Sequence, residues 1–183
     1  MKELSLNILD ITYNSIKAKA EKIEISVLES ISKNLVEIEI KDNGCGMDEE
    51  FLRRVTDPFV TTRTTRKVGL GIPLFKQSAE DTDGSFNISS KVGIGTKVYA
   101  SFRLDHLDRA PIGDMSSTMV SLIQANDQIR FIYRHTTDQG VFTLDTDDLH
   151  EQLGDVPLSE PAVLSWIGEY INENLDAIQG GKI

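Results

Sequence analysis

The chain has 183 residues, 39% hydrophobic and 26% charged, which suits one full domain plus a smaller appended unit with a buried core. No apolar run reaches the roughly 20 residues of a membrane helix, and no charged-then-apolar leader opens the chain, so it is read as cytoplasmic with no membrane partner. A single cysteine, Cys45, rules out an internal disulfide, three histidines argue against a Cys/His zinc site, and a net charge of -10 argues against nucleic acid as a partner.

Division after Leu104 changes the meaning of that charge. Residues 1–104 hold 15 acidic and 15 basic side chains, and 105–183 hold 14 acidic and 4 basic, so the second segment carries all the excess. The polar run from Asp105 to Arg109, followed by Pro111 and Gly113, marks the boundary. The expected organisation is a first domain over 1–104 and an acidic α/β annex over 105–183.

Apolar residues at Leu4, Ile8 and Ile11, with Leu9 and Ile16 beside them, predict a helix over 3–20. Its exposed strip places Asp10, Asn14 and Lys17 on one side, near the line of Glu3, Asn7 and Glu21. Taken alone, that strip reads as a solvated face. Alternation at Ile23, Ile25, Val27 and again at Val36, Ile38, Ile40 predicts two strands in an antiparallel hairpin. The second strand runs into Asp42-Asn43-Gly44-Cys45-Gly46-Met47-Asp48, a turn whose glycines permit positive φ and close approach of a flat ligand.

Asp48 caps a short helix to Val55, with Glu49 and Glu50 in its first turn. The stretch from Pro58 to Lys67 then holds four hydroxyls and three cations without an acid. Val68-Gly69-Leu70-Gly71 opens a helix near Ile72, where Pro73 fits the first turn. Free N–H groups at that helix start, beside Arg66 and Lys67, suit phosphate, and a pair of packing glycines is the competing explanation. Phe86, Ile88 and then Val98, Ala100, Phe102, Leu104 form a further hairpin across Gly93-Ile94-Gly95-Thr96. The order predicts an α/β (α+β) two-layer sandwich with helices on one face of a mixed, largely antiparallel sheet. Beyond it, a helix over 113–125, a hairpin around Phe131 and Phe142, a short helix capped by Asp145 or Thr146, and a final helix after Pro161 make up the annex.

Taken together, these motifs resemble the GHKL ATPase superfamily of gyrase, the heat-shock chaperone ATPase, histidine kinases and MutL, with its Bergerat fold. Asp10-x-x-x-Asn14-Ser15-Ile16-Lys17-Ala18 resembles the asparagine box, and Asp42-x-Gly44-x-Gly46-Met47 the first glycine box. Asp57-Pro58-Phe59 with Thr61-Thr62 resembles the phenylalanine box, Gly69-Leu70-Gly71-Ile72 the second glycine box, and Gly93-x-Gly95-Thr96 the closing glycine-threonine element. The resemblance covers 1–104 and implies ATP and Mg²⁺ as ligands. Asp42 would accept from the adenine amine, helped by Thr96 through a shared water, and Gly44 and Gly46 would leave room beside the ring. Asn14 would ligate Mg²⁺, Lys17 would reach a phosphate, and Phe59 and Met47 would wall the pocket. Residues 61–67, including Thr62, Arg66 and Lys67, would form the lid, and Gly69, Leu70 and Gly71 would meet the phosphates.

Three departures qualify the resemblance. The gyrase-like branch has a water-activating glutamate where Asp10 stands, one methylene shorter. Lys67 and Val68 occupy positions where kinases carry a further glycine. A sensor kinase carries a phosphoacceptor domain ahead of this one, whereas here the motif starts near Met1. His150 lies instead after the domain, where an ordinary surface histidine is the simpler reading. Two functions follow: a stand-alone ATPase or protein kinase with Asp10 as general base, or a sensor that binds ATP or ADP without turnover. The acidic annex is expected to engage a protein partner.

Overall fold

The computed structural model describes residues 3–57 and 70–179. Leu4–Lys17 forms α1, Lys22–Ser30 β1 and Leu35–Asp42 β2, and Glu49–Val55 forms α2 with the Asp48 carboxylate accepting from the Phe51 N–H. Gly71–Glu80 is α3, with Pro73 in its first turn, followed by β3 (Ser85–Lys91) and β4 (Gly95–Arg103). The C-terminal segment supplies α4 (Met115–Ala125), β5 (Arg130–Thr137), β6 (Gly140–Asp145), α5 (Thr146–Leu153) and α6 (Pro161–Ile178). Asp145 caps α5, accepting from the Asp147 N–H, and Pro161 opens α6, where a missing N–H leaves no bond unmade.

All six strands belong to one sheet in the order β3-β4-β2-β1-β5-β6. Every neighbouring pair is antiparallel except β1 and β5, which run parallel from Lys22 opposite Arg130 to Glu29 opposite Thr137. A parallel partner needs a long crossover, and α4 lies on it. The sheet is therefore mixed, as expected. Alternation alone does not show which strand a hairpin joins, and the β5–β6 hairpin extends the first segment's sheet at β1.

Ile23, Ile25, Val27, Val36, Ile38, Ile40, Phe131 and Tyr133 share the helix-covered face, each with no more than 1% of its surface exposed. Ile8 and Ile11 of α1, Phe75 of α3, Met119 and Leu122 of α4, and Ile167 and Ile171 of α6 complete this core. Each such side chain, fully buried, contributes about 1.5–3 kcal/mol of transfer free energy. The opposite face, carrying Lys22, Glu24, Glu39, Lys41 and Lys97, is open to solvent. Asn7 departs from the helical pattern. Its periodicity places it on the exposed strip, but α3 and α4 pack against α1 and leave it 1% exposed.

Candidate functional site

The turn after β2 is fixed from three sides. The Asn43 side-chain oxygen accepts from the Glu21 and Lys22 N–H groups, both at 2.9 Å, which ties the turn to the start of β1. The Cys45 N–H donates to the Ala18 carbonyl at the end of α1, and the Cys45 carbonyl accepts from Gly93 in the β3–β4 turn, each at 2.8 Å. The Met47 N–H donates to Ser90 Oγ at 2.8 Å.

The two glycines serve these approaches. A Cβ at Gly44 would lie 2.8 Å from the Ala18 carbonyl oxygen, and one at Gly46, where φ is +68°, would lie 2.0 Å from the Lys91 carbonyl oxygen. The direction a Cβ would take at each is filled by this chain's own backbone, and Gly46 also lines the cavity described below. Glycine is needed because two chain segments cross at contact distance.

Above the turn lies a cavity of about 580 Å³. Ile11, Asn14, Ser15, Lys17 and Ala18 of α1 and its end form one wall, Asp42, Gly46, Met47, Thr96 and Val98 another, and Phe51, Val55 and Ile72 the apolar end. Asp42 is the organising group. It is 9% exposed; Oδ1 accepts from the Gly44 N–H at 2.9 Å and the Thr96 N–H at 3.2 Å, and Oδ2 accepts from Ser15 Oγ at 2.5 Å. A carboxylate has about four acceptor sites, so one remains unused on Oδ2 of this cavity-lining residue.

Thr96 Oγ1 lies 2.8 Å from Ser90 Oγ, which also donates to the Gly95 carbonyl at 3.0 Å and accepts from Met47. Either hydroxyl can donate in the Ser90–Thr96 pair, and Thr96 also lines the cavity.

On α1, Asn14 is half-buried in the cavity wall and Lys17 is exposed at its mouth, one turn apart. Asp10 is exposed and lies against α3: a Cβ on Gly71 would sit 3.2 Å from the Asp10 Cβ. Gly71 thus lets the start of α3 rest on α1. The first hydrogen bond of α3 runs from the Leu74 N–H to the Leu70 carbonyl, so the Gly71 and Ile72 N–H groups have no partner within the helix. They carry the positive end of its dipole.

The structure thus gathers Asn14, Lys17, Asp42, Gly46, Met47 and Thr96 around one cavity, with Gly44 against Asp42 and with Asp10 and Gly71 in contact where α3 meets α1. Phe59, Thr62, Arg66, Lys67 and Gly69, and with them the lid over 61–67, lie outside the described residues. The sequence reading missed Ser15, Ser90 and Asn43. A small hydroxyl on the buried stripe of α1 was the signal for Ser15. Nothing local distinguishes Ser90. Cys45 is exposed at the cavity wall, and the His150 Nε2–H donates to the Asp127 carbonyl at 3.1 Å, tying α5 to the α4–β5 turn.

A mixed sheet covered on one face by helices, with an acid-and-glycine turn at a strand end beside an asparagine-bearing helix, defines a GHKL-type nucleotide-binding domain. The family model for histidine kinase-, DNA gyrase B- and HSP90-like ATPases matches residues 2–106, and the chain belongs to that family. AtoS, a signal transduction histidine-protein kinase of Escherichia coli, is 34% identical over 95 residues, covering 52% of this chain and 15% of AtoS. The Bacillus subtilis sensor histidine kinase YvrG is 30% identical over 94 residues, covering 49% of this chain and 16% of YvrG. The chain therefore matches only a small part of these relatives. The Aquifex aeolicus MutL ATPase domain complexed with ADP superposes with a TM-score of 0.50 at 17% identity, covering 84% of this chain and 68% of that one. This likeness shows the fold. Its share of the chain exceeds that of the family match, so it extends past residue 106. Among the described residues no helix is long and apolar enough to cross a membrane.

Proposed function

We propose that the cavity binds ATP with Mg²⁺ and that the protein acts as an ATPase or protein kinase. The observation that carries this is the Asp42 carboxylate, which lines the cavity and is held by three donors, leaving one acceptor site unused. That site complements the adenine amine and opposes guanine, which presents a carbonyl there. Thr96 lone pairs would hold a water beside the ring. Lys17 and the Gly71 and Ile72 N–H groups would face the phosphates.

The donor set fits Mg²⁺. Asn14 offers one amide oxygen, and among the described residues no group of three or more acidic, His or Cys side chains gathers to cage a metal. Mg²⁺ is commonly held this way, by few protein ligands with phosphate oxygens and waters completing the shell. When bound, the ion would neutralise phosphate charge. Calorimetry with ATP, GTP and ADP, with and without Mg²⁺, tests the assignment. Asn14→Ala should abolish Mg²⁺-dependent ATP binding, and unchanged affinity would overturn the site.

A second reading, nucleotide sensing without turnover, draws on Asp10. Its short carboxylate is exposed against α3. Phosphate release above a protein-free control decides between the two. The excess acid of 105–183 is proposed to engage a protein with a basic surface.

A further inference from the structure

The Asp42 turn and the β3–β4 turn meet at the cavity, backbone against backbone. The Gly93 N–H donates to the Cys45 carbonyl at 2.8 Å, and a Cβ at Gly46 or at Gly95 would overlap the Lys91 or the Asp42 carbonyl. Side chains then tie the two ends of the Asp42 turn to the strands. At one end, Asp42 Oδ1 accepts from the Thr96 N–H at 3.2 Å. At the other, the Met47 N–H donates to Ser90 Oγ at 2.8 Å. Ser90 and Thr96 stand opposite each other in the β3–β4 register, and their hydroxyls lie 2.8 Å apart.

These bonds form one chain from the Met47 N–H through Ser90 and Thr96 to the Asp42 carboxylate. The half-buried Ser90 hydroxyl is also within donating distance of the Gly95 carbonyl, at 3.0 Å. With one hydrogen and two acceptor sites, it can serve all three neighbours at once when Thr96 donates to it. Asp42, Met47 and Thr96 line the cavity, so the chain joins three cavity groups through a hydroxyl that supports them. Without that hydroxyl the Gly93–Cys45 bond and the strand ladder remain, and the Met47 end of the turn loses its anchor.

We propose that Ser90 is a positioning residue for base recognition: through Met47 and Thr96 it holds both ends of the Asp42 turn, and so fixes where the Asp42 carboxylate meets a purine. The proposal rests on the reading of the cavity as an ATP site, and adds to it a residue that acts through its neighbours. Groups held in place before binding have less ordering to undergo when the ligand arrives, which favours affinity. Asp42 complements adenine and opposes guanine, so freeing the turn weakens ATP more than GTP.

Ser90→Ala, Thr96→Val and the double variant test this by calorimetry with ATP and GTP in the presence of Mg²⁺. Urea unfolding and hydrogen exchange at the Met47 amide, measured on the same proteins, report the fold and the anchor. Ser90→Ala should bind ATP about three- to tenfold more weakly, the range for one or two neutral hydrogen bonds, and lose less affinity for GTP. The Met47 N–H should exchange faster than in the wild type. Because Ser90 and Thr96 belong to one network, the double variant should lose less ATP affinity than the two single losses combined. A wild-type chain that binds no ATP overturns the nucleotide site and the role of Ser90 with it. A wild-type chain that binds ATP, with Ser90→Ala unchanged, equally weakened for both nucleotides, or additive with Thr96→Val, overturns the role of Ser90 alone.

Discussion

Asp42→Asn separates recognition from folding. The Asn oxygen takes the place of Oδ1 and keeps the Gly44 and Thr96 bonds of 2.9 and 3.2 Å, and the new amide takes the place of Oδ2. Ser15 Oγ, a donor to that oxygen at 2.5 Å, can rotate to accept from the amide, so the interior bond survives in reversed sense. The stability loss should stay near 1 kcal/mol. The cavity side changes sign. The one acceptor site becomes an N–H facing the adenine amine, and losing a hydrogen bond to a charged group costs about 2–3 kcal/mol, or about 30- to 150-fold in affinity. Guanine, with a carbonyl at that place, should lose less, so the preference for ATP over GTP should narrow. Calorimetry with both nucleotides measures this, and urea unfolding checks the fold. Wild-type ATP affinity in the variant, or equal losses for ATP and GTP, would refute the role of Asp42.

Ser15→Ala leaves the Asp42 Oδ2 without its protein donor and should lower stability by about 1.5–3 kcal/mol in urea unfolding; an unchanged midpoint would remove Ser15 from the site's support. Gly46→Ala sets a Cβ 2.0 Å from the Lys91 carbonyl oxygen at a φ of +68°, and should destabilise more than Gly44→Ala, whose nearest approach is 2.8 Å. Asp10→Asn should keep ATP binding and lower phosphate release if Asp10 is the base; equal rates in a single-turnover assay would exclude it. Bonds from the Ser117 hydroxyl and N–H hold the Asp114 carboxyl below the usual carboxylate range at the start of α4. The stability this contributes is present in full above the unfolded pKa of about 3.9 and lost as pH falls through the lower folded value. The gap of about 1 kcal/mol between wild type and Asp114→Ala should therefore narrow from pH 6 to pH 2 (approximate bounds) in urea unfolding, and a gap that widens would contradict the cap's charge dependence.

Period and punctuation carried most of the fold. The stripes through Ile8 and Ile11, the alternation from Ile23 to Ile40, the Asp48 cap and Pro161 at the start of α6 all express local chemistry, and each element stands where that chemistry puts it. What the sequence did not show is non-local. The pairing of β1 with β5 joins residues about a hundred positions apart, and nothing in either strand's alternation names its neighbour. The glycines of the Asp42 turn were legible as special, but the Ala18 and Lys91 carbonyls that a Cβ there would meet belong to distant segments and were not. Ser90 was illegible for the same reason: its hydroxyl matters through Met47, 43 residues away.

That non-local pairing gives the C-terminal segment a physical connection to the nucleotide turn. The Glu21 carbonyl accepts from the Arg130 N–H at 2.9 Å, and the Glu21 and Lys22 N–H groups donate to Asn43, the residue after Asp42. Glu21 and Lys22, at the entry to β1, therefore hold the start of β5 on one side and the Asp42 turn on the other. Arg130 in turn anchors Asp145 and Asp147, which cap and begin α5. A displacement of the Asp42 turn would have to move these N–H groups, break their bonds to Asn43 or shift the start of β5. The Asp42 turn and the start of β5 are thus joined at Glu21 and Lys22 by one backbone bond and two bonds to the Asn43 side chain, rather than through a flexible linker.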